Sequence, residues 1–127
     1  MEIERIDHLV LTVQDIARTC AFYERVLGMQ TVTFGDGRKA LRFGSQKINL
    51  HEVGKEFEPK ALKPVAGSAD LCFLTPLPLD QVVEHFRACA VPIIEGPVRR
   101  TGATGTLLSV YIRDLDGNLI EVANSIE

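Results

Sequence analysis

The feature that most constrains this chain is a pattern of elements that runs through once and then begins again. Ile6 to Val13 alternates as a strand. A helix follows from Asp15, a good N-cap residue, with Ile16, Cys20, Tyr23, Val26 and Leu27 at helical spacing and Gly28 as its stop. Met29 to Phe34 and Arg38 to Phe43 flank the turn Gly35-Asp36-Gly37, and Lys47 to Val53 follows Gly44-Ser45-Gln46. Beyond residues 54–67 the order returns. Ala69 to Thr75 reads as a strand, and Leu79, Val82, Val83, Phe86 and Ala90 form a helical stripe. Ile93 to Arg99, Leu107 to Arg113 and Leu119 to Asn124 then read as strands. His8 to Asp70 is 62 residues and His51 to Glu121 is 70; the longer hairpin around residues 100–106 takes up the difference.

A four-stranded sheet with one helix has one covered face, so two such units are expected to close their open faces over a shared cavity. The fold class predicted is α+β: two paired βαβββ modules forming an incomplete barrel around a metal cavity. The domain expected is a single one over residues 1–127, with module 1 at 1–53, a linker at 54–67 and module 2 at 68–127. The linker (GKEFEPKALKPVAG) holds two prolines, two glycines and many charges, which suits an excursion more than a sheet.

Composition narrows the partners. Seventeen acids against fourteen bases leave a net charge of -3, which argues against a nucleic-acid partner. No apolar run approaches the roughly eighteen residues of a membrane span, so no membrane association is expected. The N-terminus is acidic before it is apolar and lacks a small-residue cleavage site, unlike a secretion signal. Cys20, Cys72 and Cys89 are odd in number and lie inside apolar elements, which predicts reduced, buried thiols and a cytoplasmic location.

Strand alternation sorts the side chains into two faces. Leu9, Leu11 and Val13 form an apolar row to pack under a helix, opposite His8, Val10 and Thr12. Ile48 and Leu50 oppose Asn49, His51 and Val53. Ile120 and Val122 oppose Leu119, Glu121 and Ala123. In all three strands a metal-capable residue falls on the less apolar row. The same sorting puts Arg42, Ser109 and Tyr111 on the cavity side, and Asp70 and Cys72 opposite Leu71 and Phe73.

Two imidazoles and a carboxylate suit a divalent transition metal with positions left open for substrate. Such an ion polarises two neighbouring substrate oxygens, and a carboxylate able to leave it can move a proton. Singly, each residue has an ordinary structural reading, and His85 beside Glu84 reads as surface. His8, His51 and Glu121 stand out because matching strands of the two modules supply them.

These residues resemble the vicinal-oxygen-chelate superfamily (glyoxalase, bleomycin-resistance and extradiol-dioxygenase proteins). IDHLVLTV followed by DIARTCAFYERVLGM is similar to its opening signature. VYIRDLDGNLIEVAN is similar to its final hairpin, whose aspartate-glycine-asparagine turn presents a metal-binding glutamate. The likeness covers essentially the whole chain, and within the superfamily it is greatest to small lactoylglutathione-lyase-like proteins, including the glyoxalase domain-containing protein 5 group. The resemblance implies metal ligands at His8, His51, Asp70 and Glu121, although many metal-dependent members have histidine where Asp70 stands. It also implies one ion of Ni, Co, Zn, Mn or Fe, and a homodimer in which the first module of one chain faces the second of the other.

The function expected from the resemblance is a metal-dependent lyase or isomerase of the lactoylglutathione-lyase type, acting on a small substrate with vicinal oxygens. Glu121 would be ligand and base, and Arg42, Ser109 and Tyr111 substrate contacts. An extradiol-dioxygenase relative is one alternative, though the chain is short for that group. A bleomycin-resistance-like binding protein without catalysis is another, and such members usually lack the metal ligands. Fosfomycin-type thiol transfer is disfavoured because Val10 stands where that group carries threonine.

Overall fold

The computed structural model describes residues 1–126. The chain divides into two compact units, Met1–Gly67 and Ser68–Glu127. Unit 1 contains β1 (His8–Val13), α1 (Ile16–Leu27), β2 (Gln30–Phe34), β3 (Arg38–Phe43) and β4 (Gln46–Glu52). Unit 2 contains β5 (Asp70–Leu74), α2 (Leu79–Ala88), β6 (Glu95–Thr101), β7 (Thr106–Arg113) and β8 (Leu119–Ser125). The two sheets have matching topologies, β1-β4-β3-β2 and β5-β8-β7-β6. In each, the first strand runs parallel to the last and the other pairs are antiparallel. The expected βαβββ order holds in both, with strand limits moved by one or two residues at most ends.

In unit 1 the Asp15 side chain accepts the Arg18 N–H at 2.9 Å, satisfying one free donor of the first helical turn. At the other end Gly28 takes a left-handed φ of 67°. The N–H groups of Gly28 and Met29 close on the carbonyls of Glu24 and Tyr23. Between these stops Cys20, Tyr23 and Val26 face inward, and α1 packs against β2, β3 and β4. Leu41, Ile48 and Leu50 beneath it are essentially fully buried. Burying each such side chain contributes about 1.5–3 kcal/mol.

Unit 2 repeats this with Leu79, Val82 and Phe86 of α2 above Val110, Ile112 and Ile120. Its last hairpin is locked by buried polar groups. Asp114 Oδ1 accepts the N–H groups of Asp116 and Asn118, and Asp114 Oδ2 accepts Asn118 Nδ2 at 2.8 Å. Asn118 Oδ1 in turn accepts the Ala69 N–H at 2.9 Å, and Leu119 N–H donates back to the Ala69 carbonyl. The turn is therefore tied directly to the residue before β5, which pins the β5–β8 register and with it the position of Glu121. Gly96 brings β6 close to β7: its φ is +106°, and a Cβ there would stand 2.4 Å from the Ser109 carbonyl oxygen.

One expectation needs correction: all three cysteines are free, but only Cys20 is buried; Cys72 is exposed and Cys89 half-buried. Residues 54–67 form no strand, and within them the Phe57 ring packs back 5.5 Å from that of His51. Among the described residues no helix is long and apolar enough to cross a membrane.

Candidate metal centre and substrate face

The register of each sheet states which side chains stand together on the face away from the helix. In unit 2 Cys72 pairs with Glu121, Glu121 with Tyr111, and Asp70 with Leu119. Asp70 and Glu121 are thus diagonal neighbours on adjacent strands, about 7–8 Å apart at Cα. Both line one hollow of about 400 Å³, together with Glu95, Arg100, Tyr111 and Arg113.

Glu121 is held from the side. The Ser109 hydroxyl donates to its Oε2 at 2.6 Å, and Ser109 is completely buried. That engagement makes Ser109 an orienting partner of the carboxylate. Tyr111 accepts a 2.9 Å hydrogen bond from Arg100 Nε, and Arg100 Nη2 donates to Glu95 at 2.9 Å. Burial raises the Tyr111 hydroxyl pKa above its ordinary value; Arg100 pulls it back and Glu121 pushes it up again. Although Cys72 is open to solvent, desolvation of its thiol, reinforced by the Glu121 charge, pushes it up to about 11. Cys72 therefore stays a thiol at neutral pH, a poor nucleophile.

In unit 1 His8 opens β1, and its Nδ1 lies 2.9 Å from the Asp7 carboxylate. The histidine holds the Asp7 carboxyl below its usual pKa. A carboxylate on one imidazole nitrogen fixes the tautomer and leaves the other free, the arrangement typical of metal-binding histidines. Arg42 stands on the same face beside Lys47 and donates to Gln30 Oε1 at 2.9 Å.

The register sets His51 apart from His8 along the sheet. His8 pairs with Lys47, whereas His51 pairs with Thr12. The two histidines share a face but stand four residues apart along parallel strands, about 13 Å at ~3.3 Å per residue. Side chains standing perpendicular to one sheet at that separation do not converge on a single ion. His51 is 3% exposed, and its imidazole pKa is lowered, first by burial and then by the Arg38 charge. The residue of β4 that corresponds to Glu121 of β8 is Asn49: Val10 pairs with Asn49 as Cys72 pairs with Glu121.

Among the described residues no three of His, Cys, Asp and Glu lie together as a ready metal cluster. The chemistry of the donors present nevertheless fits a divalent transition ion. Asp70 and Glu121 line one hollow of unit 2, and His8 of unit 1 has one nitrogen secured by Asp7. The strand pattern also passed over Arg38 and Asn49, which alternate with Arg42 and His51 and so share their face. Period two had already placed them there; an amide and a second arginine were not read as site residues.

A family profile described as "Glyoxalase/Bleomycin resistance protein/Dioxygenase superfamily" matches residues 5–122. The chain is 61% identical over 123 residues to the virulence protein STM3117 of Salmonella typhimurium, spanning 97% of this chain and 85% of that one. The crystal structure of that protein superposes with a TM-score of 0.98 at 60% identity, covering 99% of this chain and 100% of the other. The glyoxalase domain-containing protein RDO1 of Mycosarcoma maydis is 53% identical over 124 residues, 98% of this chain and 70% of that one. At the level of fold alone, lactoylglutathione lyase from Agrobacterium tumefaciens matches with a TM-score of 0.74 at 24% identity, over 98% and 96% of the two chains. FosX from Listeria monocytogenes, a fosfomycin resistance protein complexed with Mn(II) and sulfate, matches at 0.68 and 20%, over 98% and 92%.

Proposed function

Because this chain belongs to the glyoxalase/bleomycin resistance protein/dioxygenase superfamily, we propose that it is a metal-dependent lyase or isomerase of the lactoylglutathione-lyase type. Its substrate class is a small molecule with vicinal oxygens. The observation that carries this reading is Glu121, held through one oxygen by the buried Ser109 hydroxyl in a hollow it shares with Asp70.

A divalent transition ion held by His8, Asp70 and Glu121 would supply Lewis acidity to two adjacent substrate oxygens. Ser109 orients the Glu121 carboxylate, the group that moves the proton. Glu121 then takes a proton from the carbon beside one substrate oxygen and returns it to the neighbouring carbon. Tyr111, anchored by Arg100, walls the hollow and limits its width. Cys72, kept protonated, leaves the proton transfer to the carboxylate.

The proposal includes a homodimer, with His8 of one chain meeting Asp70 and Glu121 of the second. Val10 is 45% exposed and Leu74 63% exposed, each on the sheet face away from its helix, as surfaces awaiting a partner would be. A monomeric mass in solution would count against this assembly. A ring-cleaving oxygenase needs two imidazoles and one carboxylate on its iron, and the four-residue offset of His51 from His8 along the sheet favours the lyase reading over it.

The test is conversion of the methylglyoxal hemithioacetal by protein loaded in turn with Ni, Co, Zn, Mn and Fe. Turnover with at least one ion, lost in Glu121→Gln, is expected. Metal uptake without turnover under any ion would move the assignment to a sequestering protein.

A further inference from the structure

We infer that the unit 1 face holds a second recognition site, in which Arg38 and Asn49 bind a small carboxylate bearing a neighbouring O–H or N–H donor. This deepens the proposed function, since such a group would be the non-reacting end of the substrate.

The site is visible as two incomplete polar groups. The Arg38 guanidinium lies between two aromatic rings, 5.2 Å from the Phe34 centroid and 4.4 Å from that of Phe57. Its Nε is buried without a hydrogen-bond partner. Its Nη2 reaches His51 Nε2 only at the long distance of 3.5 Å. Among the described residues no carboxylate forms an ion pair with Arg38. The acid close to His51 is engaged elsewhere: Glu56 accepts the Gly54 N–H and pairs with Lys60. A guanidinium drawn out of water with no counter-ion is costly, and two π-faces offset that only in part. Its Nε–Nη2 edge is the fork a carboxylate takes in a bidentate pair.

Asn49 is the second incomplete group. It stands two residues before His51 on the same face, is 6% exposed, and its Oδ1 is buried with no donor. A buried amide oxygen lacking a donor is an exception that calls for a partner. A bare carboxylate answers only the arginine. A carboxylate carrying an O–H or N–H answers both, the acid on Arg38 and the donor on Asn49 Oδ1. Lys47, 3.8 Å from the Phe34 ring centroid, and Arg42 add positive potential on this face. Phe57, 43% exposed on the linker segment, forms the outer wall, and ligand entry requires its ring to swing.

Calorimetric titration of chelator-treated protein with lactate, acetate, lactamide and inorganic phosphate tests this without metal or turnover. Lactate is expected to bind better than acetate, and lactamide not at all. Arg38→Gln should weaken lactate and acetate alike by at least about tenfold, the scale of a lost charge-assisted hydrogen bond. Arg38→Lys, which keeps the charge and much of the packing but not the fork, should fall between. Asn49→Leu should leave acetate unchanged and remove the advantage of lactate. Equal lactate binding by Arg38→Gln, lactamide binding as tightly as lactate, or phosphate preferred over both acids would overturn the site. Lactate binding lost in Arg38→Gln, in a protein that converts no hemithioacetal, would uphold the site while removing the catalytic reading.

Discussion

Units 1 and 2 share one scaffold and differ in what they hang on it. Leu9 pairs with Ile48 as Leu71 pairs with Ile120, so the rows packed under the helices correspond residue for residue. On the other face the correspondence breaks into chemistry: His8 answers to Asp70, Val10 to Cys72 and Asn49 to Glu121. Unit 1 is left basic and aromatic there, with Arg38, Arg42, Lys47, Phe34 and Phe57. Unit 2 gathers three carboxylates, Asp70, Glu95 and Glu121, with Arg100 and Arg113 around one hollow. The helix-side rows are held alike because they carry stability, and the opposite rows are free to diverge because they do not. The divergence suits recognition in one unit and proton transfer in the other.

The largest expected break in that contrast is Glu121→Gln, which should lower turnover about a thousandfold with the fold intact. Asn49→Gln, at the corresponding position, should leave the chemical step within a few-fold; steady-state kinetics on both variants separates the roles. Next come the matched core residues. Ile48→Ala and Ile120→Ala should each cost about 2–5 kcal/mol by urea unfolding, and a gap between them beyond that range would mean the units are not equivalent supports.

The two histidines sharpen the register argument. His8→Ala should weaken metal uptake by more than about tenfold, the lower end of losing even an outer-shell partner. His51→Ala should retain the ion, as measured by metal analysis after gel filtration. Equal loss in both would restore His51 to the ligand set.

The strand-start polar residues give a smaller contrast. Asn118 ties β8 to Ala69 from a site 1% exposed, while Gln46 ties β4 to the Ile6 carbonyl at 2.8 Å from the surface. Asn118→Ala should cost about 1–3 kcal/mol because it strands buried partners. Gln46→Ala should cost under about 0.5 kcal/mol.

The smallest effect is a pH dependence confined to unit 1. Burial, then Arg38, holds the His51 imidazole below the ordinary value of 6.5. The unfolded chain therefore takes up this proton first as pH falls, and folding loses stability from about pH 6.5 down through the lowered folded pKa. Unfolding free energy should drop between pH 7.5 and 5.5, and His51→Gln should reduce that drop.

Much of this was legible in the amino-acid order. Asp15 and Gly28 bound a helix by caps that need only local chain. The Asp114–Asn118 turn announced itself in composition, and alternation placed Glu121 and Tyr111 on one shared face, where they pair. Phe57 was not legible, because a lone aromatic in a charged, proline-bearing segment has no periodicity to say where it packs.

Period two determines which face a residue occupies and is blind to a shift of two. Moving β4 by one pleat against β1 leaves every side chain on its face, yet it exchanges Asn49 for His51 beside Val10. Hairpin turns set the register of antiparallel neighbours locally, whereas the parallel β1–β4 pair is joined through a helix and two strands. Its register comes from contacts distant in sequence: α1 packed onto Leu41, Ile48 and Leu50, Gln46 on the Ile6 carbonyl, and the Ile16 N–H on Glu52. The sequence alone thus determined the elements, their caps and the two faces. The tertiary structure decided which polar residues meet, because the contact that sets that register lies outside any local stretch of chain.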